Sequence, residues 1–310
     1  MTIARRRFSY LGLVSVLMIL GVILLAAFYS GEISEGVLNG LILAITKVIP
    51  TTLPFMIISD LFLSFVRVEE IPFLPTAFEG IFSVSKAALG AVVIGSICGF
   101  PLGARMIAEL YRMGALKKDE AERAIAYSSM PSAPFIIGVV GKGMLGDTRL
   151  GIILFISLHI GNILSAQFFR KKVYKTDNPD NIMRQSFSFV ESVKSAGIGA
   201  IYVTAFISIF NLFSDTVKRM VTNKLIKWSL ISVLELAGAS DYFTDILPHS
   251  SPYLIGILAF SAGFGGISVL SQTSAFTSPS GLSIKPYLSI KILSAILSTV
   301  VAVLLLFFLG

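Results

Sequence analysis

Apolar residues fall in long blocks separated by short charged runs, at 8–29, 36–66, 87–104, 124–141, 150–169, 195–214, 246–284 and 286–308. A helix needs about 20 apolar residues to cross a bilayer core. The blocks 8–29, 150–169, 195–214 and 286–308 meet that length without interruption and predict spans. The others are broken. Pro50 and Pro54 stand inside 36–66, Gly99-Phe100-Pro101 inside 87–104, Pro131 and Pro134 inside 124–141, and Gly263, Gly265 and Gly266 inside 246–284. Proline removes a ladder donor and clashes with the preceding turn, so these blocks predict interrupted helices. Breaks at membrane depth are tolerated only where protein or a water-filled cavity satisfies the freed backbone groups.

Beyond Gly99–Pro101 the chain continues through 102–113, where Arg105, Glu109 and Arg112 share one helical face. This predicts a hairpin that enters, turns at the break and returns to the same side. The basic run 114–123 follows, with Asp119 and Glu122 spaced as a capping box. Asp60 and Arg67 predict an interfacial ion pair, and 215–245, with Lys218, Arg219, Lys224, Lys227 and Trp228, predicts an interfacial helix leading to Glu235. The glycines at 263–266 predict a second hairpin, so that 95–103 answers 261–269 and 114–117 answers 281–285. The fold expected is an all-α polytopic membrane protein with about six transmembrane helices plus two re-entrant helical hairpins in inverted repeats. Its parts are an N-terminal transmembrane helix (1–35), a first repeat (36–170), a polar cytoplasmic linker (171–191) and a second, inverted repeat (192–310).

Composition agrees. Of 310 residues 55% are hydrophobic and 14% charged, with a mean hydropathy of +0.84. A soluble domain carries about 25% charged residues, and a lipid-facing surface has no need of them. The net charge of +7 lies in runs between apolar blocks, such as Arg5-Arg6-Arg7 and Arg170-Lys171-Lys172. That pattern fits cytoplasmic loops under the positive-inside rule and excludes a nucleic-acid face. Counting spans places both termini in the cytoplasm of a multi-pass cell-membrane protein. It also places Lys218, Arg219, Lys224 and Lys227 outside, against the rule. The block 8–29 is longer than a signal-peptide core and reads as a retained span. One cysteine, Cys98, and two histidines, His159 and His249, leave little for a metal centre, and no metal or cofactor is expected.

Several polar residues fall within or beside the breaks. Arg105, with the free N–H groups of the helix that starts after Gly99, Phe100, Pro101 and Gly103, either attracts an anion or pairs with Glu109. Ser128, Ser129 and Ser132 either line a cavity or satisfy the groups that the prolines free. Ser268 and Gln272, beyond Gly265 and Gly266, either bind a solute or hydrogen-bond between helices. Glu235, flanked by apolar residues, is a candidate for proton coupling or for a salt bridge with a lysine. Asn162 and His159 read as packing residues. A Gly-x-Ser-x-Gly elbow, a P-loop and His-Glu-x-x-His are all missing from the chain, so no enzyme activity is expected.

At Gly99-Phe100-Pro101-Leu102-Gly103-Ala104-Arg105, with Glu109-Leu110 and the turn 114–122, the chain resembles the nucleoside-recognition (Gate) domain family. Within that family it is most similar to the YlbJ group of sporulation integral membrane proteins. Leu234-Glu235-Leu236, Gly265-Gly266-Ile267-Ser268-Val269 with Gln272, and Lys285-Pro286-Tyr287 with Lys291 extend the resemblance from about residue 40 to the end. It departs at 128–135, where the family pattern has an Asn pair and one proline and this chain has Ser129-Met130 and two. The resemblance implies a role in spore formation and movement of dipicolinate. The function expected is a transporter of a small polar or anionic solute; the alternative is a non-transporting assembly factor that binds other membrane proteins. The partners expected are the solute, the bilayer and a second copy or other membrane proteins, with no nucleic acid.

Overall fold

The computed structural model describes residues 29–65, 71–172 and 188–309. The expected first span at 8–29, the Asp60–Arg67 pair and most of the polar linker lie outside the described residues.

The described chain is helical. Helix α1 (Ser30–Leu43) passes through a π-turn (Ala44–Val48) into α2 (Ile49–Phe65), which holds Pro54. Then come α3 (Leu74–Phe82), α4 (Leu89–Cys98), α5 (Leu102–Arg112), α6 (Lys118–Ser128), a π-helix (Pro134–Met144) and α7 (Thr148–Phe168). The second half holds α8 (Phe189–Met220), α9 (Lys224–Leu234), α10 (Leu236–Ile246), α11 (Pro252–Phe264), α12 (Gly266–Thr277) and α13 (Lys285–Leu309). Among the described residues five stretches are long and apolar enough to cross a membrane: Ser30–Ile58, Thr148–Phe168, Phe189–Met220, Pro252–Ser280 and Lys285–Leu309. The chain is thus a multi-pass α-helical membrane protein.

Packing contacts define the two ends of the bundle. At the lower end the Ser283 N–H donates to Glu122 Oε1 (2.8 Å), the Ser85 N–H donates to Glu120, and Arg170 donates to the Gly80 carbonyl (2.9 Å). A bend of 101° between α3 and the segment Lys86–Cys98 lets α3 lie across this end while α4 turns inward. At the upper end Trp228 meets Phe243 edge-on, Lys218 lies over Tyr242, and His249 Nδ1 hydrogen-bonds the Leu145 carbonyl. The stretch Ser30–Ile58 runs antiparallel to α8, Gly36 against Leu212 and Gly40 against Ser208, since small residues let two backbones approach. Helix α13 returns beside α11, with Gly263 against Ala295 and Thr299 bonded to Gly256.

The first expected hairpin is present: α4 rises from the lower end to Cys98, the chain reverses at 99–101, and α5 returns against α4 to the lower end. The second differs. At Gly265 the chain does not fold back; α11 and α12 continue across it as the single stretch Pro252–Ser280. The dead-end that enters from the upper end is instead α9–α10, reversing at Glu235, whose backbone is extended (φ −153°, ψ 138°). Each half therefore reads span, hairpin, broken span, span. The tip at 99–101 corresponds to Glu235, and the break at 129–133 corresponds to Gly265.

Two further expectations are corrected. Helix α6 begins at Lys118 with no side-chain cap; Glu122 is turned outward to the Ser283 N–H, so the capping box at Asp119 does not form. Helix α13 ends at the upper end, opposite the turn 113–117, so that turn and Leu309, both expected on the cytoplasmic side, lie at opposite ends. Of the four basic residues counted outside against the rule, two are paired, Arg219 with Glu35 and Lys218 with Asp215 (both 2.8 Å).

Candidate functional site

Both hairpin tips and both breaks meet in the middle of the bundle. Gly99, at the first tip, lies against the backbone of Ser132 in the first break. Gly266, in the second break, lies against the Leu234 carbonyl and Glu235 at the second tip. Phe100 links the halves, its ring reaching Gly265. Between them is a cavity of about 80 Å³ lined by Thr52, Met56, Gly99, Phe100, Ser132, Glu235 and Gln272, with apolar walls from Val48, Phe135, Val203, Ile207 and Val269. One water needs roughly 10–15 Å³, so the space admits several waters or a small solute group.

The polar groups around it are few and placed by their elements. Glu235 is 4% exposed, and its carboxylate accepts from the N–H groups of Ala237 (2.9 Å) and Gly238 (2.5 Å), capping α10. The cap fixes the carboxylate at the start of α10, where it borders the cavity. Gln272 Nε2 donates to Ser268 Oγ (3.3 Å), while its buried Oε1 has no hydrogen-bond partner among the described residues. Ser132 Oγ accepts from the Phe135 N–H (3.3 Å), stapling the first turn of the π-helix.

The end of α6 shows how a break is held. A helix leaves its last carbonyls without ladder partners, and buried ones must find donors. The Ile125 carbonyl accepts from Ser128 Oγ (3.2 Å), Ala126 from the Ser129 N–H (3.4 Å) and Tyr127 from Asn162 Nδ2 (3.1 Å). The Ser128 carbonyl is covered by Gly95 and Gly103, the two glycines at which α4 and α5 cross; a Cβ on either would overlap it. The Ser129 carbonyl accepts from Lys291 Nζ (2.8 Å).

Of the residues expected at the site, Gly99, Phe100, Ser132, Glu235 and Gln272 line one cavity. Pro101, Gly103, Ser128, Ser129, Gly265, Gly266 and Ser268 are buried behind it and build its walls and breaks. Arg105 is not among them. It faces outward on the exposed side of α5 and makes no ion pair with Glu109 among the described residues. Two residues matter more than their pattern implied. Asn162 caps a carbonyl of α6 instead of only packing. Lys291, read as part of the last span, reaches the first break; a fully buried charge inside an apolar span was the signal for it.

The chain is similar to the sporulation integral membrane protein YlbJ of Bacillus subtilis (strain 168), 24% identical over 302 residues that cover 83% of this chain and 74% of the relative. No family model and no solved structure matches it.

Proposed function

We propose that the chain is a transporter that passes a small polar solute through the central cavity. The observation that carries this reading is the meeting of two opposed hairpin tips and two helix breaks around one space bordered by Glu235. In inverted-repeat transporters, solute and coupling-ion sites lie near the bilayer midplane between discontinuous helices, and access alternates as one repeat moves against the other. Free backbone groups at the breaks, the Gln272 amide and the Ser132 hydroxyl would supply hydrogen bonds, and Phe100 and Met56 an apolar face.

The relative's name supports a role in spore formation, and dipicolinate is the first solute to test. Arg105 offers an anion nothing inside the cavity. A dicarboxylate beside the Glu235 carboxylate would be repelled unless that group carried a proton, so we assign Glu235 to proton coupling.

The test is uptake into proteoliposomes of radiolabelled dipicolinate, a nucleoside and a C4 dicarboxylate, with and without a pH gradient. Saturable uptake of one of them, accelerated by the gradient and uncoupled from it by Glu235→Gln, is expected. Unchanged pH dependence in that variant would remove the coupling role. Absence of flux for every solute, together with stoichiometric copurification of another membrane protein, would favour the assembly-factor reading.

A further inference from the structure

Lys291 is fully buried on α13 and forms no ion pair with a carboxylate among the described residues. Its Nζ donates to the Ser129 carbonyl at 2.8 Å, lies 3.8 Å from Met130 Sδ and stands 5.9 Å from the centre of the Phe100 ring. A carbonyl oxygen, a thioether and an aromatic face are all groups that accept a cation and carry no formal charge. They are gathered just past the C-terminus of α6, where the helix dipole places partial negative charge. The carbonyls of Ile125, Ala126 and Tyr127 are answered by neutral donors and that of Ser128 is closed over by glycine, so among these contacts the positive charge comes from the ammonium. Unwound carbonyls and helix C-termini in broken spans are the groups that hold a free monovalent cation in other membrane proteins.

We propose that Lys291 is a tethered cation. Its ammonium takes the place of a free monovalent metal ion at the first break, holding the end of α6, the tip residue Phe100 and α13 together without one. The charge arrives on a side chain from the second repeat, so the break stays held whatever ion the surrounding solution contains. This inference concerns the ion requirement of the fold and does not depend on which solute, if any, is moved.

The experiment is thermal unfolding of the purified full chain in detergent, in sodium, potassium or choline chloride at equal ionic strength. The native chain is expected to melt at the same temperature in all three. Lys291→Ala leaves the carbonyl and thioether facing an empty space; it is expected to melt lower in choline and to regain a few degrees, saturably, in sodium or potassium. Lys291→Gln keeps a neutral donor, one bond shorter, and is expected to fold, but to melt below the native chain in every salt. A Gln variant as stable as the native chain would overturn the proposal, because charge would then be dispensable. So would an Ala variant that is indifferent to the cation, or a sodium dependence of equal size in native and Ala chains, which would place the ion elsewhere. None of these readouts involves flux, so failure here is distinct from failure of the transport reading.

Discussion

The ring of Phe100 lies against Gly265, so that a Cβ at that glycine would sit 3.2 Å from Phe100 Cζ. The first residue belongs to the tip of a hairpin that enters from the lower end, the second to the break of a span in the other half. Through this contact each half closes a gap that the other leaves open. Gly265 has φ +83°, so a side chain there meets three obstacles, the backbone conformation, the ring and the Val269 side chain. Gly265→Ala should destabilise by about 1–2 kcal/mol from the left-handed backbone alone, with a steric cost added. Phe100→Ala removes the ring's share of the steric cost and leaves that of Val269. A double-mutant cycle in detergent should give a coupling of about 0.5–1 kcal/mol, the double variant losing less than the sum of the singles. Strict additivity would mean that the two do not touch.

The crossing of α4 and α5 over Ser128 has no spare room. Gly95→Ala and Gly103→Ala each push a methyl into a backbone carbonyl, and overpacking of this kind costs about 1–3 kcal/mol. Gly197→Ala on α8 meets nothing within 4 Å and should be neutral or stabilise by up to about 1 kcal/mol through helix propensity. Melting temperatures of the three variants, with the Gly197 change as the reference, check the order.

The two ends of the bundle can be read by accessibility. In a Cys98→Ala background, Met113→Cys and Lys285→Cys should react with a membrane-impermeant maleimide from one side, and Thr222→Cys and Ser250→Cys from the other. Labelling of Met113→Cys and Ser250→Cys from the same side would break the assignment of α6 and the π-helix as one broken span or of α9–α10 as a hairpin, and labelling of Ser250→Cys and Lys285→Cys from the same side would break that of α11–α12 as a span.

Asp147 caps α7, accepting from the Arg149 N–H at 2.8 Å. Side-chain hydrogen bonds from Arg149, reinforced by that backbone bond, hold its carboxyl below the ordinary aspartate value. A group whose value is depressed on folding adds stability above its unfolded pKa of about 3.9 and loses it as pH falls through the folded value. Asp147→Asn should therefore melt lower than the native chain at neutral pH, and the gap should close below about pH 4. A gap that is constant with pH would show that the charge of Asp147 contributes nothing.

Much of the site was legible because breaks are local. Proline and glycine act on their own backbone, so the interruptions at 99–101, 131–134 and 263–266 could be located along the chain, and five of the residues named around them and at Glu235 do line one cavity. Arg105 was misread because helical periodicity groups it with Glu109 and Arg112 without saying which way that face points; α5 packs on α4 and α6 through Gly103, Ala104 and Ile107, leaving the arginine outside. The second hairpin was misplaced because its reversal at Glu235 uses neither glycine nor proline. There a carboxylate caps the next helix, which needs only an extended residue before it.

By itself the sequence determined the lengths of the apolar blocks and the helix failures that glycine or proline causes at 99–101, 131–134 and 263–266, since hydropathy and backbone freedom belong to each residue; at Pro54 the helix runs on. Only the tertiary structure decided whether a failed helix turns back or runs on, because that depends on what the arms pack against. At 99–101 two glycines allow the arms to cross on Ser128; at Gly265 the following arm is drawn away to α5 and the chain continues. Likewise, the partner of the Ser129 carbonyl lies 162 residues away, and packing alone brings Lys291 to it.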